Sequence, residues 1–292
     1  MRVVASCTTL PDRYPYLLQM LNSLHQQTHR LDAIYIAVPY VAKRLNKKYG
    51  KIPEEIQKLA TIVRCKEDYG PICKLYGALT MENDKNTIII SVDDDTIYDT
   101  KLVETLLEKS SIQPDSAVTG SGWLVGNIHF FSIKSSISLS NKFNSIVGMA
   151  VPDEGRKIDV VIGSSGVLYK RHFFPKKNLD DFFHLSTLND DMFKNDDIVI
   201  SAYLCSKNID RYVFNNVPVA NTNDLMVDAL SINYLNMMRS FIRTVNYCQE
   251  LNLFTKYETL YIKDSPTFKI IMITILVLLL IVIICVVQHY QN

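Results

Sequence analysis

The chain has 292 residues, 48% of them apolar, with 31 Lys and Arg against 30 Asp and Glu and a net charge of +1. That length holds one large domain or two small ones, with ample apolar content for a core. The near-neutral balance, with no dense basic run in the body of the chain, excludes nucleic-acid binding driven by charge.

Taken in order, the first segments alternate between strand and helix character. Arg2–Ser6 is predicted as a strand, and Asp12 and Arg13 interrupt it too soon for the apolar region of a signal peptide. Pro15–Gln27 is predicted as a helix with Leu17, Leu21 and Leu24 on one face, and Ala33–Val38 as a second strand. The pattern repeats with a short helix over Pro53–Leu59, a strand over Thr61–Arg64, a helix over Ile72–Met81, a strand over Thr87–Val92 and a helix over Thr100–Glu108. Such alternation implies an α/β fold of parallel strands with crossover helices on both faces.

The apolar run Ile88-Ile89-Ile90-Ser91-Val92 ends in Asp93-Asp94-Asp95. Two unit charges about 5 Å apart repel by roughly 3 kcal/mol at an effective dielectric near 20. A triplet at a strand end is therefore neutralised, separated by solvent, or held for a purpose, and a divalent cation with a phosphorylated ligand is one such purpose. A solvated acidic turn is the plain alternative.

Position decides between them. Ligands collect outside the carboxyl ends of strands in an open α/β sheet, and other polar clusters occupy equivalent ends. They are Thr8-Thr9-Leu10-Pro11-Asp12-Arg13 after the first strand, Pro39-Tyr40 after the second, and Asp68-Tyr69-Gly70-Pro71 with Lys74 after the third. Each alone reads as a turn with a helix cap; together they converge on one crevice.

In the second half, Asp159–Tyr169 reads as two short strands about a glycine turn, either a hairpin or a place where backbone approaches a ligand. Asp190-Asp191 and Asn195-Asp196-Asp197 both precede a predicted helix over Ile198–Leu204, where Asp also serves as an N-cap. Trp123 fits either a ring stack or the core, and Asp228–Glu250 is predicted as a helix. Ile270–Val287 runs eighteen residues without a charge, about 27 Å as a helix, which predicts a transmembrane anchor. Lys263 and Lys269 before it, against His289 after it, place the N-terminal part in the cytosol, as a tail-anchored protein. Six cysteines at 7, 65, 73, 205, 248 and 285 show no CxxC pairing and read as reduced thiols.

The run Asp68-Tyr69-Gly70-Pro71-Ile72-Cys73-Lys74-Leu75, followed by Ser91-Val92-Asp93-Asp94-Asp95-Thr96-Ile97-Tyr98, resembles nucleotide-sugar-dependent glycosyltransferases of the GT-A type, in the family-two-like group. The first loop, Thr8 to Arg13, and the later Asn195-Asp196-Asp197-Ile198 are similar to further motifs of that group. The resemblance covers residues 1–215 and implies a GT-A, Rossmann-like, mostly parallel sheet with flanking helices. Residues 216–263 would form a helical extension and 270–287 the anchor. It implies a nucleoside diphosphate sugar donor, Mn²⁺ or Mg²⁺ as cofactor, and inverting transfer to a hydroxyl of a glycan, lipid or protein at a membrane surface.

By that analogy Asp95 contacts the metal, Asp93 holds the ribose or a metal-bound water, and Asp94 assists. Thr9, Arg13 and Asp68 surround the nucleotide, and Lys74 compensates phosphate charge unless it is a solvated helix residue. Asp197 is the expected general base, with Asp196 next; His172 and His184 are not backed as metal ligands. Two rivals stand beside this reading. One is a haloacid-dehalogenase-like phosphatase, which wants its Asp-x-Asp on the first strand. The other is an inactive membrane-attached binding module that keeps the fold and pocket.

Overall fold

A computed structural model describes residues 1–125, 136–138, 151–218, 221–222 and 234–254. Four parallel strands come from the first half of the chain: β1 (Val3–Cys7), β2 (Ala33–Val38), β3 (Thr61–Arg64) and β4 (Ile88–Ser91). β1 lies between β2 and β4 and pairs parallel with each; β3 pairs parallel with the outer side of β2. All residues of β1 and β4 are buried. Apolar runs without polar alternation are what a parallel strand covered on both faces requires.

The second half supplies β5 (Ala117–Thr119), β6 (Ser121–Trp123), β7 (Arg156–Lys157), β8 (Val160–Val161), β9 (Val167–Lys170) and β10 (Arg211–Val213). The eight-stranded sheet runs β7-β10-β5-β9-β4-β1-β2-β3. β9 is antiparallel to both β4 and β5, so the sheet is mixed beyond β4.

Helices cover both faces, as the alternation predicts. Side chains alternate along β1: Val3, Ala5 and Cys7 join a core with Leu17, Leu21 and Leu24 of α1 (Tyr14–His25), Ile56 of α2 (Glu54–Leu59) and Leu102 and Leu106 of α4 (Leu102–Ile112). Val4 joins the opposite core, with Leu75, Ala78 and Leu79 of α3 (Cys73–Met81), Phe182 of α5 (Leu179–Leu185), Met192 of α6 (Asp190–Lys194), Ile198 of α7 (Asp196–Ser206) and Val245 of α8 (Tyr234–Glu250).

Three differences from expectation have local causes. Asp159–Tyr169 is not a hairpin. β8 pairs with β6 in a small separate sheet, while β9 inserts between β4 and β5, and a 3-10 turn over Gly163–Ser165 joins them. The fully apolar Val167-Leu168-Tyr169 gains burial on both faces in the large sheet, which pairing with β8 could not give. α7 begins at Asp196 because both aspartates sit in its first turn. A 3-10 turn over Gly70–Ile72 precedes α3, which starts at Cys73 rather than Ile72.

Residues 228–233 and the apolar run 270–287, with Cys285, lie outside the described residues. Among those described, no helix is long and apolar enough to cross a membrane. Cys7, Cys65, Cys73 and Cys248 are free thiols.

Candidate active site

The strand order β3-β2-β1-β4 reverses direction between β1 and β4, and such a switch point opens a crevice at the carboxyl edge of the sheet. A cavity of about 990 Å³ lies there. Thr9, Arg13, Asp68, Lys74, Asp93, Asp94, Asp95, Asp196 and Asp197 all line it. The loop after β2 contributes differently from expectation. Tyr40 is 68% exposed, with the Arg64 guanidinium over its ring, and the lining from this stretch comes from Arg44 and Tyr49.

One wall is the acidic triplet facing the loop after β1. The Thr9 hydroxyl donates to Asp94 Oδ2 at 2.5 Å, and the Arg13 guanidinium lies 3.1 Å from Asp94 Oδ1 and also contacts Asp95. Tyr49 donates to the Thr9 carbonyl at 2.6 Å, fixing that loop. Burial pushes the Asp94 carboxyl up to about 7 even against the pull of Arg13. For Arg13, burial works against its charge, but Asp94 and Asp95 outweigh it and hold the guanidinium ionised. Asp94 is therefore the internal partner of this wall, 6% exposed at its side chain, while Asp95 at 16% is more open. Asp68 accepts from the Lys43 and Gly70 amides at 2.6 and 2.8 Å and shapes the loop before α3.

Lys74 sits in the first turn of α3 with 5% of its side chain exposed. Its Nζ lies 2.8 Å from Asp93 Oδ1, 2.8 Å from Asp196 Oδ2 and 3.4 Å from Asp197 Oδ1. Burial alone would discharge this lysine; Asp196, Asp197 and Asp93 reverse that and hold it well above the ordinary lysine range. It is no solvated helix residue. It ties the strand-end triplet to the carboxylates of α7.

Asp197 Oδ2 accepts from the Gly163 amide at 2.9 Å. A Cβ on Gly163 would lie 2.4 Å from Lys74 Nζ and 3.0 Å from Asp197 Oδ1, so any side chain there must displace the ammonium from its carboxylates. Burial pushes Asp197 up to about 7, although 29% of its side chain still faces the opening. Burial also raises Asp196, which is 11% exposed.

α8 forms the third wall. Asn189 caps α6 by accepting from the Asp191 and Met192 amides. Asp191 then accepts from Ser240 Oγ at 2.7 Å and from Arg243 Nε and Nη2 at 2.6 and 2.9 Å; the Arg243 hydrogen bonds pull its carboxyl below the usual range. Asn195 Nδ2 lies 2.8 Å from the Asp191 carbonyl, Ser240 Oγ and Thr244 Oγ1. Met237 and Phe241 of α8 and Trp123 of β6 complete the lining. Sequence reasoning missed Met237, Phe241 and Arg243 as site residues. The available signal was the four-residue spacing of Met237, Phe241 and Val245 on a predicted helix, which marks one face without saying what it meets.

The donor set suits a hard divalent cation, since the carboxylates offer oxygen alone. Asp95 and Asp93, at 16% and 28% side-chain exposure, are open enough to be reached from the cavity. Among the described residues no three acidic, His or Cys side chains form a ready cage. One or two carboxylates completed by phosphate oxygens and water is the usual way Mg²⁺ is held with a nucleotide, so the residues fit. His172 and His184 do not line the cavity.

No protein-family model matches the chain, and no match to a curated protein was found. Among solved structures it is similar to S. aureus TarS, with 12% identity and a TM-score of 0.49, over 89% of this chain but 41% of that one, so it spans less than half of that protein's length. It is similar to S. aureus TarS 1–349 in complex with UDP-GlcNAc, with 12% identity and a TM-score of 0.49, over 89% and 68% of the two chains. It is also similar to the mannosyltransferase PcManGT from Pyrobaculum calidifontis in complex with GDP-Man and Mn²⁺, with 12% identity and a TM-score of 0.47, over 96% and 80%. At such scores these likenesses assign neither an activity nor a ligand to this chain.

Proposed function

We propose that the protein is a GT-A-type glycosyltransferase that moves a sugar from a nucleoside diphosphate sugar to a hydroxyl acceptor, with inversion. The observation that carries this reading is the Lys74 bridge. One buried ammonium joins Asp93 at the end of β4 to Asp196 and Asp197 at the start of α7, bringing an anion-handling wall and a candidate base into one cavity.

Each wall has its own task. Asp95 and Asp93 would hold Mn²⁺ or Mg²⁺, whose contribution is to neutralise charge on the departing diphosphate. Arg13, fixed by Asp94 and Thr9, keeps the triplet in place and offers a second cation near the nucleotide. Asp197 takes the proton of the acceptor hydroxyl, and an acidity near 7 suits a base working at neutral pH. Gly163 fixes its carboxylate through the backbone amide. An anchor over residues 270–287, with the catalytic part in the cytosol, belongs to the same proposal and gives direct access to nucleotide sugars. The phosphatase reading gains nothing from this geometry, because β1 ends at Cys7 and is followed by Thr8-Thr9, while the triplet follows β4.

The test incubates the intact chain with UDP- and GDP-sugars and Mn²⁺ or Mg²⁺, reading release of nucleoside diphosphate with and without an acceptor mixture. Release from at least one donor, abolished by chelator, is expected. Hydrolysis of phosphomonoesters with no such release contradicts the proposal.

A further inference from the structure

The wall built by β6, β8 and α8 differs in chemistry from the charged walls beside it. Trp123 and Phe241 are both half-buried, and their ring centroids lie 4.7 Å apart at 49°. Met237, Val160 and Ile162 extend the same apolar surface, and Ser164, Asp191 and Asp197 line the cavity beside it. Trp123 Nε1 has no hydrogen-bond partner among the described residues.

The wall is held in place from both sides. A Cβ on Gly122 would meet Ile158 Cδ1 at 2.1 Å and the Val160 carbonyl at 2.7 Å, so β6 packs on β8 at backbone distance just before Trp123. On α8, Ser240 and Thr244 flank Phe241 and bond to Asn195, with Ser240 also bonding to Asp191. These bonds fix Phe241 relative to Asp197, two residues beyond Asn195 in α7.

We propose that Trp123 and Phe241 form a platform for the sugar ring of a carbohydrate acceptor, presenting one of its hydroxyls to Asp197; the word acceptor rests on the glycosyltransferase reading above. A sugar ring has an apolar C–H face that suits an aromatic surface and a rim of hydroxyls that suits carboxylates and serine. A lipid chain would cover Ser164 and the open side of Asp197 without offering either a hydrogen bond. A serine or threonine of a peptide is too small to cover two rings. The cavity, about 990 Å³, lies at the top of the roughly 300–1,000 Å³ range of small-molecule sites.

The chain has a single tryptophan among 16 tyrosines, so emission excited at the long-wavelength edge, where only the indole absorbs, reports Trp123 alone. The intact protein, with UDP or GDP and Mn²⁺ present, is titrated with methyl glucoside, methyl mannoside, N-acetylglucosamine and cellobiose, using sorbitol and octanol as controls. A saturable change with at least one sugar and none with sorbitol is expected. Phe241→Ala should weaken it roughly three- to ten-fold, the worth of one aromatic contact, and Phe241→Tyr should retain it. A cooperative thermal transition in each variant serves as fold control, and nucleotide binding followed by calorimetry should be equal in all. Silence with every sugar while nucleotide binds overturns the platform alone, as does a saturable response to octanol only. Sugar response without nucleotide binding supports the platform and overturns the transferase reading; absence of both overturns both.

Discussion

Lys74 is the residue on which the two halves of the site depend. Removing it leaves Asp93, Asp196 and Asp197 facing one another at low exposure without a cation. Breaking a buried pair from one side costs about 3–5 kcal/mol. Lys74→Met, which keeps the stem volume, should lower the melting temperature by many degrees, and by more at pH 8 than at pH 5, where the carboxylates can protonate. A change below about 0.5 kcal/mol, normal for a solvated side chain, would contradict the bridge. Gly163→Ala places a methyl group against Lys74 Nζ and should lower transfer activity while keeping a cooperative thermal transition, measured by turnover beside a melting scan. Asp197 gives a pH signature. Its carboxyl is raised from 3.8 to about 7, so between those values the folded state binds more protons than the unfolded one. Its contribution to stability therefore falls as pH rises from about 4 to 7, and Asp197→Asn should flatten that fall in a pH series of melting temperatures. Transfer should run the other way, rising to a plateau above pH 7 as the base ionises. The carboxylates themselves were legible, because a triplet after an apolar strand and a second pair before a helix are local patterns. The state of Lys74 was not, since the partners that separate a buried hub from a solvated lysine lie far along the chain.

At the scale of elements, the parallel half of the sheet could be read from periodicity alone. β2 and β3 match their predicted bounds, and β1, β4, α1 and α2 differ from theirs by one or two residues at the ends. Local pattern decides these because each strand is followed by its own crossover helix. β9 is the opposite case. Its apolar run suits a hairpin or a sheet insertion equally, and pairing with Ser91, Ile90 and Ile89 on one side and Thr119 and Val118 on the other is a non-local outcome. The turn before α3 has a sharper signature. Gly70 sits at φ +77°, and a Cβ there would lie 2.3 Å from the Phe193 carbonyl. Gly70→Ala should cost more than about 1 kcal/mol through both backbone strain and that clash, seen as a lower denaturant midpoint with unchanged slope. α8 carries the same lesson. Its docking on α6 and α7 runs through Ser240, Arg243 and Thr244, polar residues that a helix pattern assigns to the solvent face.

For the molecule as a whole, the carboxyl edge of the sheet gathers three sources of function: the strand ends of the first half, the α7 aspartates of the second, and the inner face of α8. The first two were foreseen and converge where the strand order reverses; the third emerges only from packing. In the function proposed above these walls divide the work, with Asp95 serving donor and metal and Asp197 serving the acceptor. The most direct test compares Asp95→Asn and Asp197→Asn in one experiment, following Mn²⁺-dependent nucleotide binding by calorimetry and sugar transfer by nucleoside diphosphate release. The account predicts that Asp95→Asn loses metal-dependent binding and transfer together, whereas Asp197→Asn binds like the unaltered chain and loses transfer. Equal loss of binding in both variants, or transfer that survives in Asp197→Asn, would contradict it.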